Sequence, residues 1–296
     1  MRRDAGSIAI VALWGLAIIG ILLAVAIRAT DTELRSTQNA VSLSRARLAA
    51  EAGAQLGLAR LLRRHAGGAR RFDGVAEHWQ DGTTPVDIAI IDEAGKIDLN
   101  QAPLELLSGL LAAVGRPSGE ALLLACNILD WRGDSGDGCP EPFDAVNRPH
   151  LFLVPEELAQ VPGFGDALYD QVADYVTVAT KASAIDPFAA QRPVLLAIPG
   201  ATAGLVDAYL DERSHWHDLA GSDSSTGLLG NIPDVMTSPG RDFTIKAIAA
   251  AGRIRYRTDL QVRLTDLPKH PYEFVATRAP PPNRGVPPAP PPRRVP

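Results

Sequence analysis

Hydrophobic positions are spread unevenly along the 296 residues, and their spacing changes character several times. The first block is an unbroken apolar run, residues 7–27 (SIAIVALWGLAIIGILLAVAI), 21 residues without a charge. At about 1.5 Å per residue such a run is long enough to cross a bilayer as a helix. Residues 28–65 carry charges but no proline and keep helix formers throughout. Leu34, Val41 and Leu48, then Ala52, Leu56, Ala59 and Leu62, sit at helical spacing on one face. Run and extension together predict one continuous helix of about 59 residues, ~89 Å long.

The period then shortens. Residues 65–85, rich in Gly, Arg and His, read as a loop. Residues 86–92 (VDIAIID) alternate and are β-branched, which predicts a strand. Glu93-Ala94-Gly95-Lys96 reads as a hairpin-like turn, and 97–100 as a second short strand. From 101 to about 235 the pattern is helical, in LELLSGLLAAV, GEALLLACNILDW, PEELAQV, ALYDQVADYVTV, PVLLAI and AGLVDAYLDER. Alternation returns at 243–250, 253–264 and 272–277. Residues 279–296 hold nine of the 24 prolines and end the chain in a flexible or polyproline tail. The expected fold class is α+β: a long N-terminal helix, an antiparallel sheet, and a large all-α insert between strands. The later strands would complete the sheet that the first two began.

Two stretches of the helical part resemble each other. Leu158, Val161, Pro162, Gly163 and Leu168 align with Leu195, Ile198, Pro199, Gly200 and Leu205. A hydrophobic-Pro-Gly step between helices resembles a helix-hairpin-helix, whose DNA-binding versions offer backbone N–H groups to phosphate with Lys or Arg nearby. Here Asp166, Asp170, Asp174, Asp207, Asp211 and Glu212 follow the turns, so phosphate would be repelled. Structural helix packing is the favoured reading, and no nucleic-acid partner is expected. The alternative is a membrane-tethered helix-hairpin-helix DNA-binding receptor.

Composition narrows the classes further. A hydrophobic content of 46% supports a sizeable core. Aromatics at 5% are too sparse for a base-stacking platform. Two cysteines exclude a disulfide-rich scaffold and a four-cysteine zinc site. The net charge of −5 is concentrated: residues 101–240 carry 19 acids and 6 bases, whereas 241–296 carry 4 acids and 11 bases. An acidic helical part beside a basic sheet end suits oriented contacts with charged partners, or simply solvated surface. His215 and His217 are two apart and do not face each other on a helix, and Ser214 has no GxSxG context. No nucleophile–base–acid set and no phosphate loop can be named, so no catalytic residue is expected and the chain reads as not an enzyme.

The sharpest cluster of candidate ligands is Asp130, Asp134, Asp137, Glu141 and Asp144. Oxygen ligands every three or four residues, separated by glycines, suit a hard cation, and calcium is the candidate cofactor. An acidic surface loop rich in Asx turns is the alternative. Cys126 and Cys139, 13 residues apart, either form a disulfide in an oxidising compartment or remain a buried and a free thiol. A disulfide there would contribute ~3 kcal/mol and pin the loop.

The N-terminus supplies a resemblance. A short leader, residues 1–6, carries Arg2 and Arg3, which keeps it cytoplasmic and sends the rest outward. A basic leader ending in glycine, followed at once by an apolar helix, resembles the class III signal of type IV pilins and pseudopilins. The resemblance implies that prepilin peptidase cuts between Gly6 and Ser7 and methylates the new N-terminus. An uncleaved signal anchor is the alternative. Most members carry glutamate at the fifth mature position; here that position is Val11. Absence of that carboxylate is a feature of the minor pseudopilin K of type II secretion systems.

The rest of the chain is similar to the same family in DEAGKIDLNQAP (92–103), ILDW (128–131), NRP (147–149), EELAQVPGF (156–164) and IDPFAAQRPVLLAIPG (185–200). The general secretion pathway protein K family has a pilin-like helix and sheet with a large α-helical domain inserted in the sheet. The resemblance implies a leader (1–6), a transmembrane part of the helix (7–27), the rest of the helix with the first strands (28–100), an inserted helical domain (101–240), returning strands (241–278) and a tail (279–296). It also implies a single pass through the bacterial inner membrane with the bulk in the periplasm. The implied role is a tip or initiation subunit of the periplasmic pseudopilus, supporting export of folded proteins across the outer membrane. The implied partners are the minor pseudopilins I and J, prepilin peptidase and the inner-membrane assembly platform. The family's calcium loop begins DWxDxD and contains a Gly-Ala-Glu-Asp stretch. Asp130, Trp131 and Asp134 match its start, and Gly138 to Glu141 keep a loose remnant in a shorter loop.

Overall fold

In the computed structural model of the chain, residues 5–67, 72–134, 138–140, 150–215, 240–267 and 269–278 are described. The N-terminal pattern produces a single helix, α1 (Ala5–Ala66), 62 residues long. The face that it buries is a different stripe from the one running through Val41, Leu48 and Leu56. Val41 and Leu48 are exposed, Leu48 by 64%. Ala52 and Ala59 are exposed as well, and Leu56 and Leu62 are half-buried. The side chain of Leu34 lies outside the described residues. The face that packs is Ala46, Ala49, Ala50, Gly53, Ala54, Gly57, Leu58 and Leu61. Close approach, not side-chain size, selects it. A Cβ at Gly53 would lie 2.6 Å from Val86 Cγ1, and one at Gly57 2.5 Å from Ile245 Cγ2. At Gly53 and Gly57 the sheet therefore rests almost on the helix backbone, while Leu58 and Leu61 fill the core beyond them.

Five strands form one antiparallel sheet in the order β1-β2-β5-β6-β7. They are β1 (Glu77–Asp81), β2 (Thr84–Asp92), β5 (Asp242–Ala251), β6 (Ile254–Leu267) and β7 (His270–Arg278). Strand β1 occupies part of the stretch expected to be a loop. Its sequence, EHWQD, is polar because it is an edge strand, joined to β2 through Gly82 at φ +57. Val86, Ile88 and Ile90 of β2 and Phe243, Ile245, Ala247 and Ala249 of β5 share the core with α1.

Strands β2 and β5 are neighbours although about 150 residues separate them. The chain between them holds a 3₁₀ turn (Glu93–Gly95), β3 (Ile97–Asp98), α2 (Leu104–Ala113), α3 (Ser118–Arg132), a 3₁₀ segment (Pro155–Gln160), α4 (Gly165–Val172), β4 (Val176–Thr177), α5 (Arg192–Ala197) and α6 (Ala203–His215). The expected hairpin across 93–96 is not formed. Strand β3 leaves the main sheet and pairs in parallel with β4, Ile97 opposite Val176. Asp92 caps the 3₁₀ turn instead, its carboxylate accepting from the Ala94 N–H, and that turns the chain away from the sheet.

The helical region has its own core. Leu106, Leu107, Leu110 and Leu111 of α2 meet Leu124, Ile128 and Leu129 of α3, Val194 and Leu195 of α5, and Tyr209 of α6. Gly109 brings α2 against α5, where a Cβ would lie 2.3 Å from the Ala197 carbonyl oxygen.

Candidate functional site

Four features carry candidate function. The first is the apolar end of α1. Gly6, Ser7 and Val11 all fall within the helix, but their side chains lie outside the described residues. Side chains of the 7–27 run are described at 13–22, and there Leu13, Trp14, Leu16, Ile19, Ile21 and Leu22 are each more than half exposed. Among the described residues, no helix is long and apolar enough to cross a membrane. The ten residues at 13–22 nonetheless leave an exposed apolar surface along the helix.

The second feature is the acidic loop. Cys126 on α3 and Cys139 are joined in a disulfide with Cα atoms 5.6 Å apart. Asn100 fixes the chain beyond the loop: its Nδ2 donates to the Phe152 carbonyl at 2.9 Å, and its Oδ1 accepts from the Phe152 N–H at 2.8 Å. Trp131 packs against His150 and Phe152. Asp137, Glu141 and Asp144 lie outside the described residues. Asp134 is engaged by Arg132, whose guanidinium also donates to the carbonyls of Leu99 and Ala102. Burial raises the Asp130 carboxyl above its usual range. Among the described residues, no three candidate ligands are gathered into a metal site.

The third feature is the pair of hairpins, which share the same hydrogen bonds. The N–H of Val161 donates to Leu158 and that of Ile198 to Leu195; the N–H of Phe164 donates to Val161 and that of Ala201 to Ile198. Gly163 and Gly200 both occupy the left-handed region, at φ +86 and +83, which glycine adopts at no steric cost. A second repeat, absent from the sequence reading, precedes α2 and α5. Asp98 accepts from Asn100 N–H through Oδ1 and from Ala102 N–H through its carbonyl. Asp186 does the same for Phe188 and Ala190. The signal was present as Ile-Asp-x-x-x-Ala at 97–102 and 185–190. In both copies the Asp turn starts a helix, and Ile97, Ala102, Ile185 and Ala190 are buried. At the second hairpin Arg192 is paired with Asp207 at 2.7 Å, so the nearest cation is already neutralised.

The fourth feature is the junction between the two cores, which is polar. Glu93 is buried; it accepts from Lys96 Nζ at 2.7 Å and from Thr177 Oγ1 at 2.6 Å. Burial alone would raise its carboxyl, but Lys96 and Thr177 hold it below the usual range. The Asp186 N–H donates to the Ala94 carbonyl at 2.7 Å, and a Cβ at Gly95 would lie 2.5 Å from the Ala189 backbone. Asp98 also accepts from Thr180 Oγ1 and from the Lys181 N–H. Lys246 on β5 reaches Asp174 at 2.8 Å, and Arg263 on β6 reaches the Ala179 carbonyl at 3.2 Å. Partial desolvation at this contact would raise the otherwise exposed Asp174, yet Lys246 keeps it depressed. These groups seat the helical region on the sheet face opposite α1. The segment 92–103, which carries part of the family resemblance, supplies several of these groups. The charges at the end of an apolar strand were the available signal.

Compared with known proteins, the chain matches no protein-family model and no curated protein sequence. Its fold does match a chain in the crystal structure of the GspK–GspI–GspJ complex from the enterotoxigenic Escherichia coli type 2 secretion system. The match has a TM-score of 0.53 at 14% identity and covers 82% of this chain and 98% of that one. At that identity the likeness is one of fold.

Proposed function

We propose that this chain is a minor pseudopilin of the K kind in a type II secretion system, a structural assembly subunit rather than an enzyme. The fold shared over 82% of the chain with a member of the GspK–GspI–GspJ complex carries the reading. The leader, the missing carboxylate at Val11 and the order of the family-like segments support it from the sequence. The helical region would be an inserted domain on a pilin-like body. In this reading α1 crosses the inner membrane once through residues 7–27, and the bulk lies in the periplasm. An exposed apolar stretch at 13–22 suits lipid, where a helix satisfies all its own backbone groups. The outward Val41, Leu43 and Leu48 suit lateral packing against other subunits.

Shape and charge support a tip position. The helical region on the thin helix-and-sheet body would obstruct a subunit stacked above it. Val11 offers no carboxylate for recruitment beneath another subunit, and an unpaired charge in the bilayer would cost several kcal/mol. The proposed partners are the minor pseudopilins I and J, with prepilin peptidase for processing and the inner-membrane platform for assembly. Co-expression of the full chain with I and J should yield a stable ternary complex; its absence would sink the partner claim. Mass spectrometry of the mature N-terminus should show loss of residues 1–6 and one added methyl group.

Calcium is proposed for the loop 130–144. The proposed ligands are Asp130, Asp134, Asp137, Glu141 and Asp144; Arg132 takes only Oδ2 of Asp134, which leaves its Oδ1 for the ion. Adding calcium should raise the thermal midpoint and a chelator should reverse it; an unchanged midpoint removes the ion.

A further inference from the structure

We infer that the seat of the helical region on the sheet is a proton-sensitive clasp, closed by the buried carboxyl of Asp92. Asp92 is the last residue of β2 and is fully buried. Its Oδ1 accepts from the Ala94 N–H at 2.9 Å, at the point where the chain leaves the sheet. Its Oδ2 accepts from the Gly240 N–H at 3.1 Å, just before the chain re-enters the sheet at β5. One carboxyl group thus ties together the outgoing and the returning chain, 148 residues apart. The approach is close enough that a Cβ at Gly240 would lie 2.1 Å from Asp92 Oδ1.

The charged groups around this carboxyl are unfavourable to its ionised form. Glu93 faces it from the 3₁₀ turn and Asp186 from the loop before α5, and both are acids. The cations of the junction are committed elsewhere. Lys96 is paired with Glu93, Arg263 with Asp242, and Lys246 with Asp174. Lys181 acts on Asp242, whose own carboxyl burial raises despite Arg263. Two backbone N–H donors are therefore the support that an ionised Asp92 receives in a site closed to water, against burial and two like charges. Burial first, then Asp186 and Glu93, push Asp92 up to about 7, and the two N–H groups only partly oppose them.

The direction of the effect follows from the raised value. A carboxyl that binds its proton more tightly in the folded state stabilises that state fully below the unfolded value near 3.8. The contribution is lost as pH rises through about 7. From pH 6 to pH 8 the clasp passes from neutral and closed to charged and loosened. The helical region can then detach locally at the junction while its own core stays packed.

The test uses the full chain in detergent, with carboxyl-labelled aspartate followed by NMR and amide exchange read at Gly240, Ala94 and Leu107. The expected Asp92 titration midpoint lies near pH 7. Protection at Gly240 and Ala94, corrected for intrinsic exchange, should fall about tenfold between pH 6 and pH 8, while Leu107 is unchanged. Asp92→Asn, which cannot ionise and keeps one of the two acceptors, should abolish that fall. An Asp92 midpoint below 5, or a Gly240 protection that follows Leu107, overturns the clasp. Both of these readouts come from the wild-type chain and hold even if the variant does not fold. Neither depends on the pseudopilin reading, which stands or falls with the ternary complex.

Discussion

The two cores of this protein reach close packing by opposite means. The sheet body is closed by small residues: Ala46, Ala49, Ala50, Gly53, Ala54 and Gly57 let Val86, Ile88 and Ile245 lie on the helix backbone. The helical region is closed by large ones, chiefly the leucines of α2 and α3 with Val194 and Tyr209. The cores stay separate because the surface between them is polar, with Glu93, Asp92, Asp98 and Thr177 all buried there. Apolar burial is non-directional and roughly proportional to area, so it would tolerate several ways of seating one body on the other. Hydrogen bonds with fixed partners do not, and that makes the junction the part that sets orientation.

The comparison predicts effects of different size and place. Leu107→Ala should be the most damaging, costing about 2–5 kcal/mol in the helical region. Amide exchange should show the loss in α2 and α3 and spare β5; an equal loss in β5 would mean that the cores are not independent. Reduction of Cys126–Cys139, or the double serine variant, should cost ~3 kcal/mol, again confined to the helical region. Urea unfolding with and without reductant measures it. Gly57→Ala should cost about 1–3 kcal/mol in the body, since its Cβ would meet Ile245 at 2.5 Å and Ile88 at 3.0 Å. A neutral result would show that the sheet does not rest on the helix backbone. Lys246→Met should cost the least, about 0.2–1 kcal/mol, because Asp174 is largely exposed and the pair is partly screened. Its effect should shrink in high salt, whereas the Gly57 variant should not respond.

Much of the architecture was legible from spacing. The long helix, β2, the three returning strands and most helices of the middle region fall where periodicity predicts them; the helical pattern over 167–178 stops at Val172, and Val176–Thr177 pair with β3 as strand β4. Strand β1 was hidden because an exposed edge needs no apolar alternation. Which stripe of α1 the sheet covers was not legible, because helical spacing marks several stripes on a helix this long and the covered one is rich in Ala and Gly. The repeat of Asp turns before α2 and α5 was readable in Ile-Asp-x-x-x-Ala, but only the shared hydrogen bonds show that both copies do the same work. Of the candidate ligands, Asp130 and Asp134 are placed, the second with one carboxylate oxygen on Arg132.

By itself the sequence determined the order and type of the elements, the apolar N-terminal run, the acidic middle and the basic end. These depend on local period and composition, which short stretches of chain carry. Only the tertiary structure decided which face of α1 is buried, that β3 abandons β2 for β4, and that Asp92 and Gly240 meet across 148 residues. Each of those outcomes is a choice between partners distant in sequence. Steric closeness decides it at Gly53 and Gly57, and the need to satisfy buried polar groups decides it at the junction.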